Sequence, residues 1–287
     1  MPVKAGLLGT EFEPFVAKVS ARAGLAYAAA IGCRDERYLD DARRGGLEVP
    51  GPFCVSLEWK ITGDPAVKSM LGLSAEEAGR AVHAGQATRF FRTLRAGEKV
   101  RVSGQITGVR STRAGALVST TLRTTGADAS DVITESVSDA IYRGVACESG
   151  PADPAILPVT GADAPAAYLN ETAIALDRMF PHIYTECASI WNPIHTERRV
   201  ALARGLPDII VHGTALWALA WRQLSEAFGN VERLEGRFSA MVIAGTGVVL
   251  KRSEIIPGSR TVRFRLDNDA GAPAISDGFA QLARPRQ

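Results

Sequence analysis

The chain has 287 residues, 46% of them apolar and 22% charged, with a formal net charge of +2. That length can bury one large core or two of ordinary size, and the composition is that of a globular protein rather than a disordered one. The near-neutral balance excludes the basic field that nucleic-acid binding needs, and the longest apolar run, "TALWALAWRQL", is broken by Arg222 well short of the roughly 20 residues of a membrane span.

In chain order, the opening "MPVKAGLLGTEFEPF" lacks a basic-then-apolar leader layout, so a cytoplasmic protein is expected. Gly46-Leu47 follow in "ARRGGLEVPGPF", then "ITGDPAVKSMLGLSAEEAG" (61–79), then Arg89-Phe90 and Ala96-Gly97. "EKVRVSGQITGVRSTRAGALVSTTLRTT" (98–125) alternates in the two-residue period of strands, with "STRAGA" as its turn. Residues 147–170 carry four prolines and little periodicity, which marks a linker. Beyond it lies a helix from Thr214 to about Phe228, apolar all round over "ALWALAW" and so expected to be wrapped by a sheet. A second meander (237–269) turns at "IPGSR", and "NDAGAPAISDGFAQL" adds a further turn and a last strand.

The two halves share an order of features. Arg89-Phe90 and Ala96-Gly97 lie 148 residues before Arg237-Phe238 and Ala244-Gly245, while Gly46-Leu47 lie 159 before Gly205-Leu206. The difference of 11 fits an insertion in the first half at 61–79. A period this long is not a solenoid, so the chain reads as a duplicated α+β domain, 1–146 and 171–287, each half an apolar helix followed by strands.

One polar cluster interrupts the apolar second half: Asn192-Pro193-Ile194-His195 in "ASIWNPIHT", followed by His212-Gly213. This pattern resembles the MaoC-like dehydratase and (R)-specific enoyl-CoA hydratase family, approximately S-G-D-x-N-P-I-H and then a glycine, an isoleucine and H-G at the start of a central helix. Asn192 to His195, Gly205 and His212-Gly213 carry the match. The resemblance implies a double hotdog, each unit a long helix wrapped by an antiparallel sheet, with the site in the second half facing a non-catalytic first half. It implies acyl-thioester chemistry on coenzyme A or acyl carrier protein, most plausibly interconversion of 2-enoyl and 3-hydroxyacyl groups. His195 would activate water, the Gly213 N–H would bind the thioester oxygen at a helix start, and Asn192 would position water or the loop. Trp191, His212 and Ile190 would lie against the substrate. No metal or redox cofactor is implied.

Ile190 falls on the family aspartate, and isoleucine can neither transfer a proton nor orient a water. Glu186, Glu197 and Asp208 are the nearby acids; Glu186, on a strand and two residue pairs before Ile190, is the candidate substitute. A thioesterase or isomerase using His195 alone, and a catalytically weak thioester-binding or partner subunit, are the competing readings. Asn192 equally suits a cap for the helix "TERRVALA", and His212 a bond across the helix start. Trp217 and Trp221 suit the core, and His83 and His182 lack a partner constellation. The four cysteines, at 33, 54, 147 and 187, have no zinc-type spacing and read as buried or free thiols. In the first half, Phe53-Cys54 stand opposite His212-Gly213 and "RDER" (34–37) opposite Asn192 to His195, so no rival site is expected there. The fused halves form the two-hotdog unit as a monomer or as a homodimer of such units.

Overall fold

A computed structural model describes residues 2–148, 167–256 and 258–284. The expected linker lies largely on 149–166, outside the described residues. In the first half come β1 (Glu11–Lys18), α1 (Ala21–Ala30), β2 (Glu48–Val49), α2 (Cys54–Thr62), α3 (Pro65–Met70) and α4 (Ala75–Gly79). They are followed by β3 (Ala81–Phe90), β4 (Leu94–Arg95), β5 (Lys99–Thr112), β6 (Gly115–Gly126) and β7 (Val132–Arg143). The second half contains β8 (Asn170–Ala175), α5 (Phe180–Ala188), α6 (Arg198–Ala203) and α7 (Gly213–Phe228), then β9 (Val231–Phe238), β10 (Gly247–Arg252), β11 (Thr261–Asn268) and β12 (Pro273–Leu282).

Ten strands form one antiparallel sheet in the order β1-β5-β6-β7-β3-β9-β12-β11-β10-β8, and β2 pairs with β4 separately. The second half repeats the first in reverse, so the halves meet edge to edge at β3 and β9. Their register runs from Gly85↔Arg237 to Arg89↔Arg233 and centres on Ala87↔Glu235. Those two central residues are themselves 148 apart, the offset legible in the sequence, so the pairing has a local twofold axis between them. The matched glycines agree in conformation: Gly97 and Gly245 both have φ of 90°, and Gly46 and Gly205 both 75°. This left-handed region favours glycine.

The central helices differ in length. In α7 every side chain from Thr214 to Trp221 is buried, as its all-round apolar sequence requires. Burial of each large apolar group there contributes about 1.5–3 kcal/mol. The first-half helix α2 has nine residues and stops at Gly63, where a Cβ would lie 2.6 Å from the Trp59 ring. The chain restarts as α3, with Pro65 in its first turn and the Asp64 side chain accepting the Ala66 N–H at 2.8 Å, and as α4 through a Ser74/Glu77 capping box. Of the two long helices implied, the first is thus interrupted, and the insertion at 61–79 holds the interruption.

Helix α1 packs on α5, where the fully buried Tyr27 and Tyr184 place their hydroxyls 3.4 Å apart. Among the described residues no helix is long and apolar enough to cross a membrane.

Candidate active site

The polar cluster is built by a helix end, a capped turn and a helix start. Helix α5 buries Pro181, Tyr184, Thr185 and Ala188, which recur at helical spacing, and it ends at Ser189 in a left-handed conformation (φ 54°). Ser189 stands on the glycine of the family pattern. The Ile190 N–H then donates to the Thr185 carbonyl at 3.1 Å, and the Ile190 side chain is buried. Asn192 accepts the Ile194 N–H at 3.4 Å and caps the tight turn Pro193–His195. It does not cap α6, which begins after Glu197 without a side-chain cap.

His195 Nδ1–H donates to the Ile210 carbonyl at 2.8 Å, which leaves Nε2 with its lone pair free to act as a base. Burial pushes the His195 pKa down to about 4, the Ile210 carbonyl working weakly against it, so the ring is neutral at physiological pH. His212 stacks on His195 with ring centroids 3.7 Å apart. Its pKa is held well below the usual histidine range by burial and then by repulsion from His195. Its Nε2 lies 3.1 Å from the Thr185 hydroxyl, and the Tyr184 ring packs beside it at 5.1 Å. His212 is the last residue before α7, so the stack brings His195 to the helix start. There Gly213 is half-buried, and among the described hydrogen bonds neither the Gly213 nor the Thr214 N–H has an acceptor. These two donors and the positive end of the helix form an anion-stabilising corner. The Phe238 ring lies 3.0 Å from where a Cβ on Gly213 would stand, so a larger residue there would collide with it.

The structure therefore brings Asn192, His195, His212, Gly213 and Ile190 to one locality and separates two other candidates from it. Trp191 is 60% exposed, so it borders the surface and does not wall an interior pocket. Glu186 is on helix α5 and not on a strand; it is exposed while Ile190 is buried, so it does not face the site. The reading of Glu186 as substitute acid is thereby corrected. Asp208 is engaged by Arg178 at 3.1 Å and by Arg198 at 3.4 Å. Sequence reasoning missed Thr185, Tyr184 and the Ile210 carbonyl. The helical spacing of α5 signals the first two, and a backbone carbonyl has no signal in sequence.

The first half has a counterpart of the same shape and different chemistry. Gly32 (φ 71°) ends α1 as Ser189 ends α5. Asp35 then accepts the Arg37 N–H at 3.0 Å and caps the turn Glu36–Tyr38 as Asn192 caps Pro193–His195. Residues 35–38 are thus the equivalents, one later than the expected 34–37, because the left-handed residues fix the alignment. Tyr38 takes the place of His195 and packs on Trp221 at 6.0 Å. One turn into α2, the buried Glu58 closes a ring. Ser136 Oγ donates to its Oε1 at 2.5 Å, Gln86 Nε2 donates to its Oε2 at 3.2 Å, and Thr88 bridges Gln86 and Ser136. Burial pushes the Glu58 pKa up to about 7. A separate cavity of about 50 Å³ in this half, lined by Phe12, Ile106 and Tyr142 among others, holds none of the cluster residues.

Fold and site together define a double hotdog with a polar corner in one of its two halves. Residues 182–262 match the MaoC like domain, and residues 6–135 match the FAS1-like dehydratase domain region. The chain thus carries a MaoC like domain in its second half and a FAS1-like dehydratase domain region in its first, on a double hotdog fold. Among solved structures it is similar to a MaoC-like dehydratase from Phytophthora capsici, at 18% identity and a TM-score of 0.83 with 97% of each chain covered. It is also similar to the full-length peroxisomal multifunctional enzyme type 2 of Drosophila melanogaster, at 18% identity and a TM-score of 0.75, with 94% of this chain and 48% of that one covered. A Mycobacterium tuberculosis protein with a double hotdog fold matches at 15% identity and a TM-score of 0.62, with 95% and 94% covered. No curated protein matches in sequence.

Proposed function

We propose that the chain is a hydratase/dehydratase that interconverts 2-enoyl and 3-hydroxyacyl thioesters of coenzyme A or acyl carrier protein, in the cytoplasm and without a metal or redox cofactor. The observation that carries this reading is the free Nε2 of His195, on a ring fixed by Ile210 and stacked against the start of α7. In hydration, His195 Nε2 takes a proton from water as the oxygen bonds to the β-carbon. The π electrons move to the thioester oxygen, which accepts the Gly213 N–H. The imidazolium then returns its proton to the α-carbon, so one histidine serves as base and acid in turn. Asn192 holds the turn that aims it.

Ile190 is the reason for a single-histidine mechanism. The loss of a positioned acid or base typically costs about 10²–10⁴-fold in rate, so turnover well below that of an aspartate-bearing site is expected. The test is incubation with 2-enoyl thioesters, following loss of the conjugated thioester and release of free thiol. Hydration abolished in His195→Ala supports the reading, and hydration that survives the substitution sinks it. Thiol release without hydration would identify a thioesterase, and binding without turnover a partner subunit.

A further inference from the structure

The interior side of this corner is closed by large aromatic groups from both halves. An acyl chain whose thioester oxygen sits at the Gly213 N–H must run inward, because the carrier occupies the solvent side. Along α7 the first aromatic side chain after Gly213 is Trp217, fully buried, four residues and ~6 Å of helix rise away. Trp217 packs against Phe90 of β3 with ring centroids 6.2 Å apart. Phe238 of β9 covers Gly213 itself. Tyr184 packs beside His212, and Tyr27 packs against Tyr184. Small residues would leave a channel between the helix and the sheet; five rings line that side here.

Resting on the function proposed above, we propose that the site takes only short acyl groups, with Trp217 of the second half and Phe90 of the first as the residues that set the limit. Trp217 stands only roughly 6 Å along the helix axis from Gly213, so little length is open to an acyl group before that ring. Each further methylene has to displace a packed ring, and a close-packed core resists added volume.

The test compares crotonyl-, octenoyl- and dodecenoyl-CoA with the wild-type chain and with Phe90→Ala and Trp217→Leu. Expected is a kcat/KM for crotonyl-CoA at least about 100-fold above that for dodecenoyl-CoA, with the octenoyl-to-crotonyl ratio raised about 10-fold in either variant. Using two variants guards against one that fails to fold, and a ratio is insensitive to a uniform loss of activity. Dodecenoyl-CoA turned over as well as crotonyl-CoA by the wild type overturns the limit, as does an unchanged ratio in both variants. If no enoyl-CoA reacts, the proposed reaction fails, and the limit is read from binding of the saturated thioesters. Butyryl-CoA bound at least about 10-fold more tightly than lauroyl-CoA upholds it, and equal, reversed or undetectable binding overturns it.

Discussion

The two halves of this chain share a strand order, a left-handed helix end and a capped turn, and they use the enclosed space differently. In the second half the turn presents His195 to a helix start whose Gly213 and Thr214 N–H groups have no acceptor among the described hydrogen bonds. The first half presents Tyr38, packed on Trp221, to a helix that begins with Cys54 in the place of Gly213. The backbone frame is therefore not what makes a site. Two features set the second half apart: a histidine held through one ring nitrogen by a backbone carbonyl, and a glycine at the helix start.

The sharpest way to break the comparison is His195→Ala, which removes the proposed base from the second half. Turnover of 2-enoyl thioesters is expected to fall about 10²–10⁴-fold with the fold intact, as read by initial rates and circular dichroism. The acid limb of the wild-type pH–rate profile is expected near pH 4, where His195 takes up its proton, with a plateau through neutrality.

Next in size is the carboxyl of the other half. Glu58 is neutral in the fold up to about pH 7 but ionises above about 4.5 when unfolded. The folded state therefore binds the extra proton between these values, and stability falls as pH rises from about 5 to 7 and is flat beyond. The whole span is about 3 kcal/mol. Urea unfolding across that range should show the slope, and Glu58→Gln, which cannot ionise, should abolish it. A slope of the same size in the variant would assign the pH dependence elsewhere.

Smaller effects sharpen the contrast. Gly213→Cys installs the first-half residue, and its Cβ meets Phe238 at 3.0 Å. A loss of about 1–3 kcal/mol in stability is expected, together with a raised KM. Unchanged values for both would show that Phe238 yields freely. Glu186→Gln should leave kcat/KM within about 2-fold, since the group is exposed on α5; a fall of about 100-fold would return it to the mechanism.

Much of the architecture was legible because it is written in local patterns. The 148-residue offset recurs in the register of β3 on β9, and the all-round apolar run anticipated a buried helix. Misread was the segment before the polar cluster. "YTECASIW" has the β-branched and aromatic residues of a strand, but Pro181 in the first turn and the spacing of Pro181, Tyr184, Thr185 and Ala188 make it a helix docked on α1. That error placed Glu186 on the wrong face. The pattern also located His195 but not its state, because the Ile210 carbonyl and the Thr185 hydroxyl that fix the two imidazoles arrive through tertiary packing.

The local axis at β3 and β9 has a meaning for ancestry. In a dimer of identical subunits, a residue on the symmetry axis faces its own copy, so Glu235 would oppose a second glutamate across the strands. Like charges so placed are destabilising. Here Ala87 is the opposite residue, and Glu235 pairs along its own strand with Arg233. A pairing of this kind is forbidden to two copies of one sequence, whereas a covalently joined pair tolerates it. Once that boundary is crossed, the second half cannot return to self-association without a buried charge conflict.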